Sequence, residues 1–124
     1  MNNNAEKIQD AELEVMQVLW QSDQPVPLAE LRQVLAQRCG WEDSTVKTLL
    51  RRLCEKGAAK LEQRGMYRAV VTREEYGRWS SSRLIGKVFE GSAKKLVASL
   101  LSSGQLSQAD IDELSALFHG QEKT

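Results

Sequence analysis

The chain has 124 residues, with 17 basic and 17 acidic side chains, one histidine and two cysteines. That length suits one ordinary domain or two small ones, and no stretch approaches the roughly 18 apolar residues of a membrane span. The zero net charge hides an uneven spread: residues 1–43 sum to −5, residues 44–73 to +6 and residues 74–124 to −1, so the basic charge is gathered into one 30-residue window.

The opening "MNNNAEKIQD" has no basic segment followed by an apolar run, so it reads as a frayed polar terminus over residues 1–9 and not as a signal peptide. The first periodic run is Ala11 to Gln21, where Leu13, Met16, Leu19 and Trp20, with Val18 loosely, form a broad apolar face and Asp10 is placed to cap the start. "SDQPVP" breaks that helix. Pro27 suits the first position of a second helix to about Arg38, since the donor it lacks is orphaned there anyway; Leu28, Leu31, Val34 and Leu35 face inward. After "CGW", Val46, Leu49, Leu50 and Leu53 mark the core stripe of a third helix. Asp43 is its expected N-cap and Gly57 its expected stop. At 100° per residue, Ser44, Thr48, Arg51 and Glu55 lie opposite the leucines, flanked by Thr45, Lys47 and Arg52.

Beyond Gly57, "AAKLEQ" and "MYRAVV" flank "RG", which predicts a two-stranded hairpin with Arg64 in its turn and Lys60 and Arg68 nearby. Three helices and a hairpin, in that order, predict a winged helix-turn-helix over residues 1–73. The remaining residues, 74–124, predict three helices. Thr72 and Glu75 make a capping box, Gly91 and Ser92 a break, and Ser107 with Asp110 a second box. This part is too small to bury its own apolar positions, and a twofold partner is the commonest remedy. The residues assigned to that dimer contact are Trp79, Val88, Phe89, Leu96, Leu100, Ile111, Leu114, Leu117 and Phe118. The fold class is thus mainly α, a winged helix followed by a small helical dimerisation domain.

Catalysis finds no support. His119 is the only histidine, and there is no glycine-rich phosphate loop, no H-E-x-x-H and no G-x-S-x-G. No catalytic residue, cofactor or metal is expected, because Cys39 and Cys54 stand fifteen residues apart with no ligand spacing around them. Free thiols without an export signal point to a cytoplasmic protein. Duplex DNA is the favoured partner. Ser44, Thr45 and Thr48 sit in the N-terminal half of the third helix, where a recognition helix meets base edges. Lys47, Arg51 and Arg52 suit the backbone, and the basic hairpin with Arg64 and Arg68 follows to grip a neighbouring phosphate. Two rivals stay open: a winged-helix module that binds protein instead, and a redox or metal sensor built on the two cysteines.

Over "WEDSTVKTLLRRLCEKG" the chain resembles the bacterial penicillinase and methicillin-resistance repressors, the BlaI/MecI group, with the copper-responsive CopY repressors as relatives. Trp41, Thr45, Val46, Thr48, Leu50, Arg52, Leu53, Lys56 and Gly57 carry the pattern. "AELEVMQVLW" (Ala11–Trp20) and "LSQADIDEL" (Leu106–Leu114) resemble the group's first and last helices. The resemblance implies a homodimeric repressor on an inverted repeat with TACA/TGTA-like arms, with Ser44, Thr45 and Thr48 reading bases. It also implies release by an inducing signal. In antibiotic-responsive members that signal is cleavage in the penultimate helix after a membrane metallopeptidase sensor fires, and the matching bond here is Ser99–Leu100. The chain departs from the pattern in three places. No proline follows Tyr67-Arg68, the C-x-C pairs of the copper repressors are missing, and no Asn-Phe stands at the cleavage position.

Overall fold

The structure is a computed structural model and describes residues 4–122. The chain divides into two compact units, Met1–Ser80 and Ser81–Thr124, so the break falls later than the sequence boundary at residue 73.

The first described element is a 3-10 turn, Asn4–Lys7, inside the stretch expected to be disordered; residues 1–3 of that expectation lie outside the described residues. Ala5 and Ile8 are buried there. The order continues α1 (Asp10–Trp20), β1 (Val26–Pro27), α2 (Leu28–Cys39), α3 (Asp43–Glu55), β2 (Ala59–Gln63), β3 (Met66–Ala69) and the start of α4 (Arg73–Val88). Val15, Met16, Leu31, Leu35, Val46, Leu50 and Leu53 form the centre of the core, so the three helix stripes read from periodicity meet one another.

Helix ends follow local chemistry, with shifts of one residue. Gln9 and Glu42 are the N-caps of α1 and α3, so Asp10 and Asp43 sit one step inside, where a carboxylate still favours the positive end of the helix dipole. Pro27 is the N-cap of α2, one position before the expected one. It also belongs to β1, which the sequence reading missed. Val26 pairs with Tyr67 and Pro27 with Met66, so the hairpin becomes a three-stranded antiparallel sheet in the order β1-β3-β2. Two residues carry too little pattern to announce a strand; their partner strand supplies the signal. Gly57 ends α3 as expected. Its φ of 78° lets its N–H reach the Cys54 carbonyl (3.1 Å) and the Ala58 N–H reach the Leu53 carbonyl (2.9 Å), a Schellman closure.

That closure is tied to the N-terminus. The Lys56 ammonium meets the Glu12 carboxylate and donates to the Lys7 carbonyl at 2.9 Å, while Asn4 Nδ2 donates to the Gly57 carbonyl at 3.3 Å. Glu12 is 1% exposed and also accepts from the Gln9 backbone N–H at 2.9 Å, so it is a buried charge with charged and polar partners. On the other side Trp20 donates its indole N–H to the Val71 carbonyl at 2.9 Å. Trp20, Tyr76 and Trp79 follow one another at ring separations of 5.9 and 5.7 Å, and Arg73 lies 5.7 Å over Trp20. Thr72 and Glu75 exchange both bonds of their capping box.

The second unit holds the rest of α4, then α5 (Ala93–Ser102) and α6 (Gln108–Glu122). Ser92 caps α5, and Ser107 and Asp110 form the expected box before α6. No residue from 81 to 120 is buried. Phe89, Leu96, Leu100 and Ile111 are half-buried, while Leu84, Val88, Val97, Leu101, Leu114, Leu117 and Phe118 are exposed, the last two at 68% and 63%.

Candidate nucleic-acid interface

The α2–α3 pair is joined by a tight turn. Gly40 takes a φ of 70° at the C-cap of α2, and its N–H closes on the Ala36 carbonyl at 3.0 Å. Burying Val46, Leu49, Leu50 and Leu53 on α1 and α2 fixes which way α3 faces. Its opposite face carries Ser44, Thr45, Lys47, Arg51 and Arg52, all exposed, and Thr48, which is half-buried. Ser44, Thr45, Thr48, Leu49 and Arg52 line an open cleft of about 220 Å³ along the helix. No carboxylate lines it. Hydroxyls donate and accept, and the guanidinium donates in a fixed fork, so this lining suits base edges and phosphate oxygens.

The flanking cations differ in their commitments. Arg51 reaches Glu55 one turn on at 3.3 Å, a pair in which both side chains are more than 60% exposed. Arg32, on α2, lies 3.9 Å from Asp43 in the first turn of α3, and its Nε is buried without a hydrogen-bond partner. No sequence pattern marks Arg32. It stands in the acidic window, and only the fold brings it to the start of α3.

In the hairpin, Arg64 precedes Gly65 (φ 69°) at the turn and is exposed. Arg68 donates Nε to Glu62 at 2.8 Å, and Lys60 lies 3.5 Å from the same carboxylate. The basic wing therefore contains an internal counter-charge. The dimer assignments separate in a similar way. Trp79 packs on the core of the first unit beside Tyr76, so it is taken up there, whereas the other eight named residues belong to the second unit. Ser99 and Leu100 lie inside α5, and their carbonyls accept from Ser103 and Gln105 at 3.0 and 3.1 Å.

Cys39 and Cys54 are both free and half-buried. Burial, and then the Glu14 carboxylate, push the Cys39 thiol up; burial pushes up Cys54. Both shifts disfavour the thiolate that metal binding and oxidation need. Among the described residues no group of three or more His, Cys, Asp and Glu is placed to hold a metal.

A helix-turn-helix followed by a short three-stranded antiparallel sheet, with hydroxyls and cations along its third helix, is the architecture of a winged helix-turn-helix domain. The penicillinase repressor family model matches residues 8–119, and the chain belongs to that family. It is 31% identical to the penicillinase repressor of Bacillus licheniformis over 87% of this chain and 86% of that one. It is 29% identical to the methicillin resistance regulatory protein MecI of Mammaliicoccus sciuri, over 92% and 94%. The solution structure of the DNA-binding domain of the repressor BlaI matches with a TM-score of 0.51 and 33% identity, covering 56% of this chain and 88% of that domain. The chain is a DNA-binding transcriptional repressor of the BlaI/MecI type and not an enzyme. No helix among the described residues is long and apolar enough to cross a membrane.

Proposed function

We propose that two copies of the chain bind an inverted-repeat operator, with one α3 in each of two major grooves and the second units holding the pair together. The α3 surface carries the reading. Its cleft presents three hydroxyls and one guanidinium to whatever approaches, with Lys47 and Arg51 on the same exposed face. Ser44, Thr45 and Thr48 read base edges; Lys47, Arg51 and Arg52 hold the backbone; Arg64 at the wing tip takes a neighbouring phosphate. The seven exposed apolar side chains of the second unit support the pairing, because solvated Leu, Val and Phe at this density gain from a partner face. Two half-sites engaged at once then multiply the affinity of each.

Release by proteolysis at Ser99–Leu100 requires α5 to unwind first, since both residues sit within its hydrogen-bonded turns. Cutting there would remove α6 and its apolar positions, and with them the avidity of the pair.

The test is selection of a duplex from a random pool, followed by binding across a salt series. The expected product has two symmetric arms one helical turn or a multiple apart, and log affinity falls linearly with log salt. An asymmetric single arm would overturn the paired reading, and a flat salt response would overturn the backbone contacts.

A further inference from the structure

The wing hairpin carries a carboxylate where a DNA-gripping element would be expected to carry none. The register pairs Leu61 with Tyr67 and Gln63 with Met66, which leaves Glu62 as the extra residue of a β-bulge. Bulges re-aim a side chain, and here the carboxylate lands between two cations: 2.8 Å from Arg68 Nε and 3.5 Å from Lys60 Nζ. Lys60 and Arg68 are directly opposite across the strands, so they share a face of the hairpin. The contact is also better built than the other pair near the interface. The Glu62 side chain is 29% exposed against 63% for that of Glu55, and it serves two cations from a strand, not one along a helix. The hydrogen bond from Arg68, with the nearby Arg68 and Lys60 charges, holds the Glu62 carboxyl below the usual carboxylate range.

A carboxylate and a phosphate offer a guanidinium the same two-oxygen acceptor. A phosphate arriving at Arg68 or Lys60 therefore meets a resident anion in the place it would take. We propose that Glu62 is an internal stand-in for a DNA phosphate: it occupies Lys60 and Arg68 in the free protein and holds down the wing's affinity for any duplex. This rests on the wing contacting the DNA backbone, as proposed above. Arg64, at the turn, is left to make the wing's unopposed contact, and sequence choice is left to α3. The arrangement limits the backbone term that binds every sequence alike, which is the term that dilutes a repressor over non-operator DNA.

The test is Glu62→Gln in the full chain, which keeps the size and acceptor oxygen and removes the charge. Binding is read by fluorescence anisotropy on a mixed-sequence duplex of about 30 base pairs and on the selected operator duplex, across a salt series. Affinity is expected to rise roughly three- to tenfold on both duplexes near 0.1 M salt, with the log–log salt slope steeper by about one. The gain should vanish when Lys60 and Arg68 are both glutamine. As a check that does not need the Glu62 variant to fold, Arg68→Gln should cost less affinity and less slope than Arg64→Gln. Unchanged affinity and slope in Glu62→Gln, or equal losses in the two arginine variants, would overturn the proposal while leaving DNA binding intact. If the wild-type chain itself binds without salt dependence, the backbone reading of the wing fails, and this proposal falls with it.

Discussion

Lys56→Met should destabilise the first unit through Glu12. In the wild type the Glu12 carboxylate is 2% exposed and answered by the Lys56 ammonium. The methionine fills similar space but leaves the anion with the Gln9 N–H at 2.9 Å. Removing one partner of a buried pair costs about 3–5 kcal/mol. Lys56 is 25% exposed, so water already reaches that side, and the expected loss sits lower, at about 2–3 kcal/mol. A unit of this size holds roughly 4–12 kcal/mol in total, so the loss is a large share. Glu12→Gln removes the charge instead and leaves Lys56 the Lys7 carbonyl, at a cost of about 1–2 kcal/mol. The double variant should fall short of the sum by about 1–2 kcal/mol, because the second change removes the penalty left by the first. Trp20, Trp41 and Trp79 all lie in the first unit, so urea unfolding followed by tryptophan fluorescence reports on that unit. A Lys56→Met midpoint equal to wild type at the same slope would refute the buried pair, and additive losses would refute the coupling.

Three further outcomes are expected. Thr48→Ala should relax sequence choice in a selected pool, whereas Arg64→Ala should weaken binding about equally on all duplexes and flatten the salt slope by about one; the reverse pattern would mean that α3 is not the reader. Leu114→Glu or Phe118→Glu should give a monomer in sedimentation with an unchanged tryptophan spectrum, and a variant still paired would refute the role given to the second unit. Gly57→Ala should lower the fluorescence-detected stability by about 1–2 kcal/mol, since the glycine has a φ of 78° and an added Cβ would stand 2.7 Å from Asn4 Nδ2; an unchanged midpoint would show that the closure tolerates a side chain.

The elements legible in the sequence are those written in local spacing. The leucine stripe of α3, the Gly57 stop and the two capping boxes each need only neighbours within a few residues, and each stands in the structure as read. What stayed hidden depends on partners far along the chain. Asn4 and Gly57 are 53 residues apart, and the polar look of "NNNAEK" gives no hint that Ala5 and Ile8 are buried. The strand Val26–Pro27 exists because Tyr67 and Met66 lie beside it. Trp79 looked like one more apolar position in a C-terminal helix, but α4 runs across the break between the units, and its first turns belong to the aromatic cluster around Trp20. In the candidate site, the face of α3 was legible from periodicity, whereas the Arg32–Asp43 approach and the Glu62 bulge were not, because neither has a sequence period.

The same distinction changes what the basic window means. Counted from sequence, residues 44–73 hold eight cations. In the fold Lys56 turns inward to Glu12, Arg73 lies over Trp20, Lys60 and Arg68 share Glu62, and Arg51 pairs loosely with Glu55. Lys47, Arg52 and Arg64 remain without a carboxylate within ion-pair distance among the described residues. Two of these stand on α3 and one at the wing tip. The basic window is therefore partly internally neutralised charge, and the part left without a carboxylate partner is small. In the proposed dimer, a short list of unopposed cations would supply orientation and a modest salt-dependent pull. Discrimination would then fall to the hydroxyls of α3, and occupancy to the pairing of two copies.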